Sequence, residues 1–249
     1  MEDKLKVVVL AAGKGTRLQE GDNDLPKVMR QACGKPLLGY VLDALSFASV
    51  DDIIIVVGYK KEDVIASFDG YTFAEQVEQL GTGHAVIAAA AELQGFNDAV
   101  LVCYGDMPIV KRSTYESLLD VHFRQGNDCT ILTGETELPL SFGRIVRDAD
   151  GGFSHVVEER DCTPDELKIT EVNTGVYVFH APQLLNALKQ LKKDNSQGEY
   201  YLTDVPAIMR AEGAKIGLFR KELGDEILGV NTIEQLAQAE EILGKRKND

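Results

Sequence analysis

Val7-Val8-Val9-Leu10-Ala11-Ala12-Gly13-Lys14-Gly15-Thr16-Arg17 decides the reading of this chain. An unbroken run of β-branched and apolar residues is the pattern of a strand covered on both faces. It ends in small residues and two glycines that carry Lys14 and Arg17. A buried strand running into such a turn offers backbone N–H groups and fixed cations to a phosphate chain. Leu25-Pro26-Lys27 follows closely and brings another cation to the same opening. The combination points to a nucleoside triphosphate. Two familiar nucleotide motifs fail here. Leu18 stands where the dinucleotide fingerprint needs its third glycine, and Gly15 is followed by Thr16-Arg17 where a Walker A loop needs lysine and then Ser or Thr. A turn that merely needs flexible glycines is the plainer alternative, but it leaves Lys14 and Arg17 unexplained.

Bulk properties narrow the field. The chain has 249 residues, 44% hydrophobic and 27% charged, with a net charge of −14. That length suffices for one large α/β domain or two small ones. The negative charge argues against nucleic acid or an anionic membrane as a general partner. An anionic substrate therefore needs a local basic pocket, and Lys14, Arg17, Lys27 and Arg30 supply one, opposed only by Glu20, Asp22 and Asp24. The four cysteines, Cys33, Cys103, Cys129 and Cys162, never approach CxxC spacing, which removes thiolate-metal and redox-motif readings and suits a reducing cytosol. Met1-Glu2-Asp3-Lys4 lacks the basic and apolar regions of a signal peptide, and no apolar stretch approaches the ~20 residues of a membrane span. A cytoplasmic, soluble protein is expected.

Outward from the opening strand, apolar runs alternate with helical periodicity. Residues 6–12, 53–57 and 99–103 read as strands buried on both faces. Pro36 to Ala48 reads as a helix with Leu37, Val41, Leu45 and Ala48 on one side, and Thr82 to Leu93 as another. Ser113-Thr114-Tyr115-Glu116 has the form of a capping box opening a helix through Phe123. Residues 129–180 change character, with short strands and hairpin punctuation, and read as a small antiparallel lobe. Ile233 to Lys247 reads as an amphipathic helix with Ile233, Leu236, Ala239 and Leu243 along one stripe and a Glu241/Lys245 pair outside. Such alternation implies an α/β fold with a mainly parallel sheet. Asp106, after the strand at 99–103, then lies at the sheet's carboxyl edge, where α/β folds bind ligands.

At this point a specific resemblance enters. Leu10 to Arg17 with Leu25-Pro26-Lys27 resembles the signature of sugar-phosphate nucleotidyltransferases. Glu75 to Ala85, Tyr104-Gly105-Asp106-Met107-Pro108, Phe142 to Asp148, Val156 to Asp161, Glu171 to Gly175, Gly198 to Asp204 and Gly229-Val230-Asn231 resemble one branch, the uridylyltransferase domain of the bacterial bifunctional enzyme that makes UDP-N-acetylglucosamine. The blocks run in order along residues 5–232. The resemblance implies a Rossmann-like, mainly parallel sheet flanked by helices with a small antiparallel β insertion. It implies a nucleotidyltransferase domain at 1–232 and a separate C-terminal helix at 233–249.

It also implies a reaction and its residues. UTP and N-acetylglucosamine-1-phosphate would give UDP-N-acetylglucosamine and pyrophosphate. Arg17, Lys27 and Asp106 would be catalytic, and Leu10, Ala11, Ala12, Gly13, Lys14, Gly15, Gln76, Gly81 and Thr82 would hold the nucleotide. Gly143, Glu158 and Asn173 would hold the sugar phosphate, and Asp106 with Asn231 would bind Mg²⁺. One carboxylate, one amide oxygen and several phosphate and water oxygens suit that ion. The plainer readings are caps and turns for Gly81-Thr82, Asp106 and Asn231, and a solvated charged turn for Glu158 to Asp161. His84, one turn inside its helix, reads as packed or hydrogen-bonded. Alternatives in function are the same chemistry on another sugar-1-phosphate or triphosphate, or a non-catalytic nucleotide-sugar sensor. Two departures stand out: the loop Leu18 to Asp24 is longer than the family's pattern, and Phe142 replaces a frequent tyrosine. The chain stops at Asp249 without the hexapeptide repeats of an acetyltransferase β-helix, so either a stand-alone enzyme or an excised domain is expected, without acetyl-coenzyme A chemistry.

Overall fold

The computed structural model describes residues 4–18, 25–136 and 142–246. The strands in chain order are β1 (Leu5–Leu10), β2 (Gln31–Ala32), β3 (Lys35–Pro36), β4 (Ile53–Val57), β5 (Thr72–Glu75), β6 (Ala99–Tyr104), β7 (Cys129–Glu135), β8 (Arg144–Arg147), β9 (Phe153–Val157), β10 (Glu171–His180) and β11 (Ile216–Arg220). The helices are α1 (Leu37–Ala44), α2 (Lys61–Ser67), α3 (Thr82–Ala88), α4 (Arg112–Gln125), α5 (Ala181–Leu188), α6 (Val205–Ala211) and α7 (Ile233–Arg246).

The main sheet runs β11-β7-β10-β6-β1-β4-β5, with β8 and β9 attached beside β10. β1 pairs in parallel with both β4 and β6, and β4 with β5. Alternation along β1 divides the core: Val7 and Val9 join α1, α2 and α4 on one face, while Val8 and Leu10 join α3, α5 and α6 on the other. With helices on both faces, every residue of β4 is buried, which is why the sequence shows no polar alternation there. Because β1, β4, β5 and β6 run the same way, their carboxyl ends share one edge. The loops after β1, β5 and β6 therefore converge on one opening.

Several boundaries move. β1 stops at Leu10, and Ala11 and Ala12 are buried coil; Ala11 N–H still reaches Val56 O at 2.9 Å. The helix expected over Pro36 to Ala48 spans Leu37–Ala44, and the one over Thr82 to Leu93 is α3 followed by a 3₁₀ turn at Ala90–Leu93. The antiparallel lobe is smaller than residues 129–180. β7 and β10 are long strands of the main sheet, β10 running antiparallel between β6 and β7, and only β8 and β9 form the insert. Arg147 ties that insert to the sheet by gripping the Glu171 carboxylate at 2.8 and 2.9 Å.

The capping box expected at Ser113 is not there. α4 starts at Arg112, so Ser113 already lies within the first turn, and Glu116 pairs with Arg112 at 2.7 Å. A remote carboxylate caps the helix instead: Glu226 accepts from Lys111 N–H at 2.9 Å and from the Thr114 hydroxyl, and pairs with Lys221 at 2.9 Å. Burial alone would raise the Glu226 carboxyl, but these hydrogen bonds outweigh it and hold it below its ordinary value. α7 matches its expected stripe. Ala239 and Leu243 are buried in a third cluster with Leu18, Leu37, Ile109 and Val230, and Glu241 pairs with Lys245 at 2.8 Å.

Candidate active site

Two cavities open at the carboxyl edge of the sheet, of about 330 and 340 Å³. They share a wall made of Thr82, Tyr104, Asp106, Glu199 and Asn231. The first cavity is floored by Leu10, Ala11, Ala12 and Gly13 and closed by Lys27, Gln76, Gln79 and Gly81. The second is lined by Arg17, Phe142, Gly143, Glu158, Asn173, Tyr201 and Thr203 among others. Residues far apart in sequence meet here because β10 enters antiparallel. The residue pair Tyr177–Val102 sets a register that carries the start of β10, with Asn173, to the edge holding Asp106.

At the shared wall, opposite charges and oxygen donors are packed together. Lys27 Nζ ion-pairs with the Asp106 carboxylate and donates to Asn231 Oδ1 at 2.7 Å, and Arg17 Nη2 lies 3.4 Å from the same oxygen. The backbone beside Asn231 is tied to Asp106 as well, since Val230 N–H donates to the Asp106 carbonyl at 2.9 Å.

The glycine-rich turn takes its form from packing. A side chain at Gly15, where φ is +69°, would put its Cβ 2.6 Å from Lys27 Cβ. Glycine there lets Lys27 lie against the turn. The N–H groups of residues 13–16 donate to no backbone group among the described residues and lie at the surface, open to solvent or to an anion. Lys14 stands apart from both cavities, its ammonium over the Tyr59 ring at 5.0 Å from the centre. Residues 19–24, most of the loop that departs from the family pattern, lie outside the described residues.

In the first cavity Gln76 is buried and its amide group is already engaged: Nε2 donates to Gly81 O at 3.0 Å and lies 3.2 Å from His84 Nδ1. His84 is thus hydrogen-bonded, and it stacks on Tyr200. Gly81 has φ +109°, and a Cβ there would sit 2.6 Å from Tyr200 O. Thr82 opens α3, and its hydroxyl accepts Leu202 N–H at 3.1 Å.

The second cavity is acidic. Glu158 Oε1 accepts the Thr203 hydroxyl at 3.0 Å. Burial raises the Glu158 carboxyl above its ordinary value despite that bond, and Asp204, Asp161 and Glu199 push the same way. Asn173 Nδ2 donates to the Tyr177 hydroxyl at 2.6 Å, its Oδ1 accepts Gly175 N–H at 3.2 Å, and its N–H reaches Gly143 O at 2.9 Å. Tyr104, Gln79, Glu199, Tyr201 and Thr203 join the lining without having been assigned roles. The signal for all five was already present, in the blocks Glu75 to Ala85, Tyr104 to Pro108 and Gly198 to Asp204.

With the fold and site in view, comparisons place the chain. The model of the MobA-like NTP transferase domain matches residues 7–207, and the chain belongs to that family. It is 45% identical over 244 residues to the bifunctional protein GlmU of Lactobacillus delbrueckii subsp. bulgaricus, covering 98% of this chain and 52% of that protein. It is 43% identical over 244 residues to the bifunctional protein GlmU of Clostridium novyi, covering 97% and 53%. The chain spans about half the length of the curated relatives it matches. Among solved structures, UDP-glucose pyrophosphorylase complexed with UDP-glucose aligns with a TM-score of 0.77 at 18% identity, over 97% of this chain and 98% of that one. That likeness is one of fold. The chain shares with that structure its α/β architecture with a mainly parallel sheet.

Proposed function

We propose that this chain is a uridylyltransferase that joins UTP and N-acetylglucosamine-1-phosphate into UDP-N-acetylglucosamine and pyrophosphate. The observation that carries the reading is the pair of cavities meeting at Asp106 and Asn231. One cavity has the small-residue floor and glycine turn that suit a nucleotide, and the other has the hydrogen-bonding carboxylate and amide that suit a sugar. In this reading a phosphate oxygen of the sugar-1-phosphate attacks the α-phosphorus of UTP. The bond from that phosphorus to the bridging oxygen breaks, and pyrophosphate leaves.

Both reactants are anions, so repulsion is the first barrier. Two unit charges 4 Å apart repel by about 4 kcal/mol at an effective dielectric near 20. Arg17 and Lys27 offset that repulsion, and the N–H groups of residues 13–16 cradle phosphate oxygens. With its amide hydrogens spent on Gly81 and His84, Gln76 offers a base an acceptor. Lys14 and Gly15 act on the nucleotide indirectly, through the shape of the turn. Glu158, Asn173 and Gly143 bind the sugar, and ligands lacking its polar groups leave theirs unpaired.

The residues at the junction fit Mg²⁺. Asp106 and Asn231 present hard oxygens to a common point where Lys27 already supplies a positive charge. Among the described residues no cluster of three or more His, Cys, Asp or Glu side chains could hold a metal. An ion there would complete its shell with phosphate and water, as Mg²⁺ does. When bound, it supplies charge neutralisation between the two phosphoryl groups.

The same reading takes residues 1–232 as the nucleotidyltransferase domain and 233–249 as a C-terminal helix. Its partners are small molecules, with neither nucleic acid nor membrane. Among the described residues no helix is long and apolar enough to cross a membrane. A cytoplasmic setting fits four cysteines that form no disulfide among the described residues. The test is pyrophosphate release over a panel of triphosphates and sugar phosphates. UTP with N-acetylglucosamine-1-phosphate is expected to lead. A preference for dTTP or CTP, or for glucose-1-phosphate, would overturn the assignment.

A further inference from the structure

Asn231 reaches the junction from a loop, and the first turn of α7 fixes that loop. Thr232 and Gln235 form the capping box that Ser113 and Glu116 do not. Gln235 N–H donates to Thr232 Oγ1 at 3.3 Å, and Gln235 Oε1 accepts Thr232 N–H at 3.1 Å. The same Oε1 also accepts the N–H of Asn231, at 2.8 Å, the shorter of its two bonds. An ordinary capping box needs only the cap residue's amide. Here the acceptor also fixes the peptide from which the Asn231 side chain departs.

The loop is therefore clamped twice. Val230 N–H is held by the Asp106 carbonyl, and Asn231 N–H by Gln235. The helix behind Gln235 is itself anchored: Glu240 accepts Cys33 N–H at 2.8 Å, and Arg246 donates to Ile109 O at 2.8 Å. We infer that Gln235 is a positioning residue that aims Asn231 Oδ1 at the junction, making the first turn of α7 part of the active site. This rests on the reading of Asp106 and Asn231 as the metal donors. It also places a site element beyond residues 7–207, the stretch matched by the family. Groups that orient a metal ligand without touching the metal typically change affinity 10–100-fold when lost.

The test is Mn²⁺ affinity, measured by electron paramagnetic resonance on the full chain with saturating UTP and no sugar phosphate. Gln235→Ala should weaken Mn²⁺ about tenfold, and Gln235→Met should do the same should the alanine variant fold poorly. Gln235→Glu keeps the acceptor oxygen and should bind within about twofold of the parent. Thr232→Ala removes a cap bond of the same helix without touching the bond to Asn231. It should lower thermal stability as Gln235→Ala does, yet leave Mn²⁺ affinity nearly unchanged. Parent-like affinity in Gln235→Ala, or an equal loss in Thr232→Ala, overturns the inference. Asp106→Asn separates the two layers. If it binds Mn²⁺ undiminished, the metal reading itself falls; if it binds weakly while Gln235→Ala binds tightly, only the positioning role falls.

Discussion

The two halves of the cleft are built on opposite principles. The first half lies where parallel strands end, and it offers backbone, small residues and an amide whose hydrogens are already committed. The second lies where antiparallel β10 and the insert meet the sheet, and it offers carboxylates and hydroxyls. In the proposed reading, one half recognises by shape and N–H direction and the other by side-chain pairing. Both halves reject an added methyl, at Gly81 in the first and at Gly175 in the second, and the second depends in addition on single polar atoms of Glu158 and Asn173.

The wall common to both halves should show the largest effect. Asp106→Asn removes the charge there and should lower turnover by about 10²–10³-fold, read as kcat in a pyrophosphate-release assay. A loss below threefold would detach Asp106 from the chemistry. Gly81→Ala should act on one half alone. Its backbone at φ +109° disfavours a side chain, and the added methyl would meet Tyr200 O at 2.6 Å. The KM for UTP should rise about tenfold, near the 1–3 kcal/mol of a strained backbone position, with the KM for the sugar phosphate unmoved.

Glu158→Gln should do the reverse, raising the KM for the sugar phosphate several-fold and sparing UTP. The pH profile sharpens it. Burial raises the Glu158 carboxyl, so acidification neutralises it sooner than an ordinary glutamate. In the parent, sugar-phosphate affinity should fall at a higher pH than an ordinary glutamate would give, and the Gln variant should lack that step.

The smallest effect concerns the fold rather than the cleft. His122 is buried and bonded to Thr130, and burial lowers it from 6.5 to about 4. Because the unfolded chain takes up this proton first, stability is whole above about pH 6.5 and declines as pH falls towards 4. His122→Asn should flatten the melting temperature between pH 6.5 and 5 relative to the parent. It should leave the Glu158 step in affinity untouched, which separates acid damage to the fold from acid effects on the second cavity.

How much was legible in the sequence follows the same division. The parallel strands at 53–57 and 99–104 could be read because helices cover both their faces, which forces continuous apolar runs. The same burial hid β10. Glu171 to Phe179 is buried throughout although it carries Glu171, Asn173 and Thr174, and a strand's composition carries no mark of its direction, so residues 129–180 read as one lobe. The capping pattern misled for a related reason. Ser113-x-x-Glu116 and Thr232-x-x-Gln235 have the same form, and only the fold reveals that Glu226 has already claimed the Lys111 N–H that precedes α4. The glycine turn could be read locally because its glycines and cations are consecutive in the chain, the pattern expected of a phosphate-binding turn. The second cavity draws on residues 143, 158, 173 and 203, whose spacing has no chemistry of its own, and a resemblance was needed to bring them together.

The central claim is that the halves divide the substrates and meet at Asp106 and Asn231. A crystal structure with UDP-N-acetylglucosamine and Mg²⁺ tests it most directly. The account predicts uracil beside Gln76 and Gly81, the sugar beside Glu158 and Asn173, and the diphosphate between them within reach of Asp106 and Asn231. Uracil seated against Glu158, or a diphosphate lying away from that wall, would contradict it.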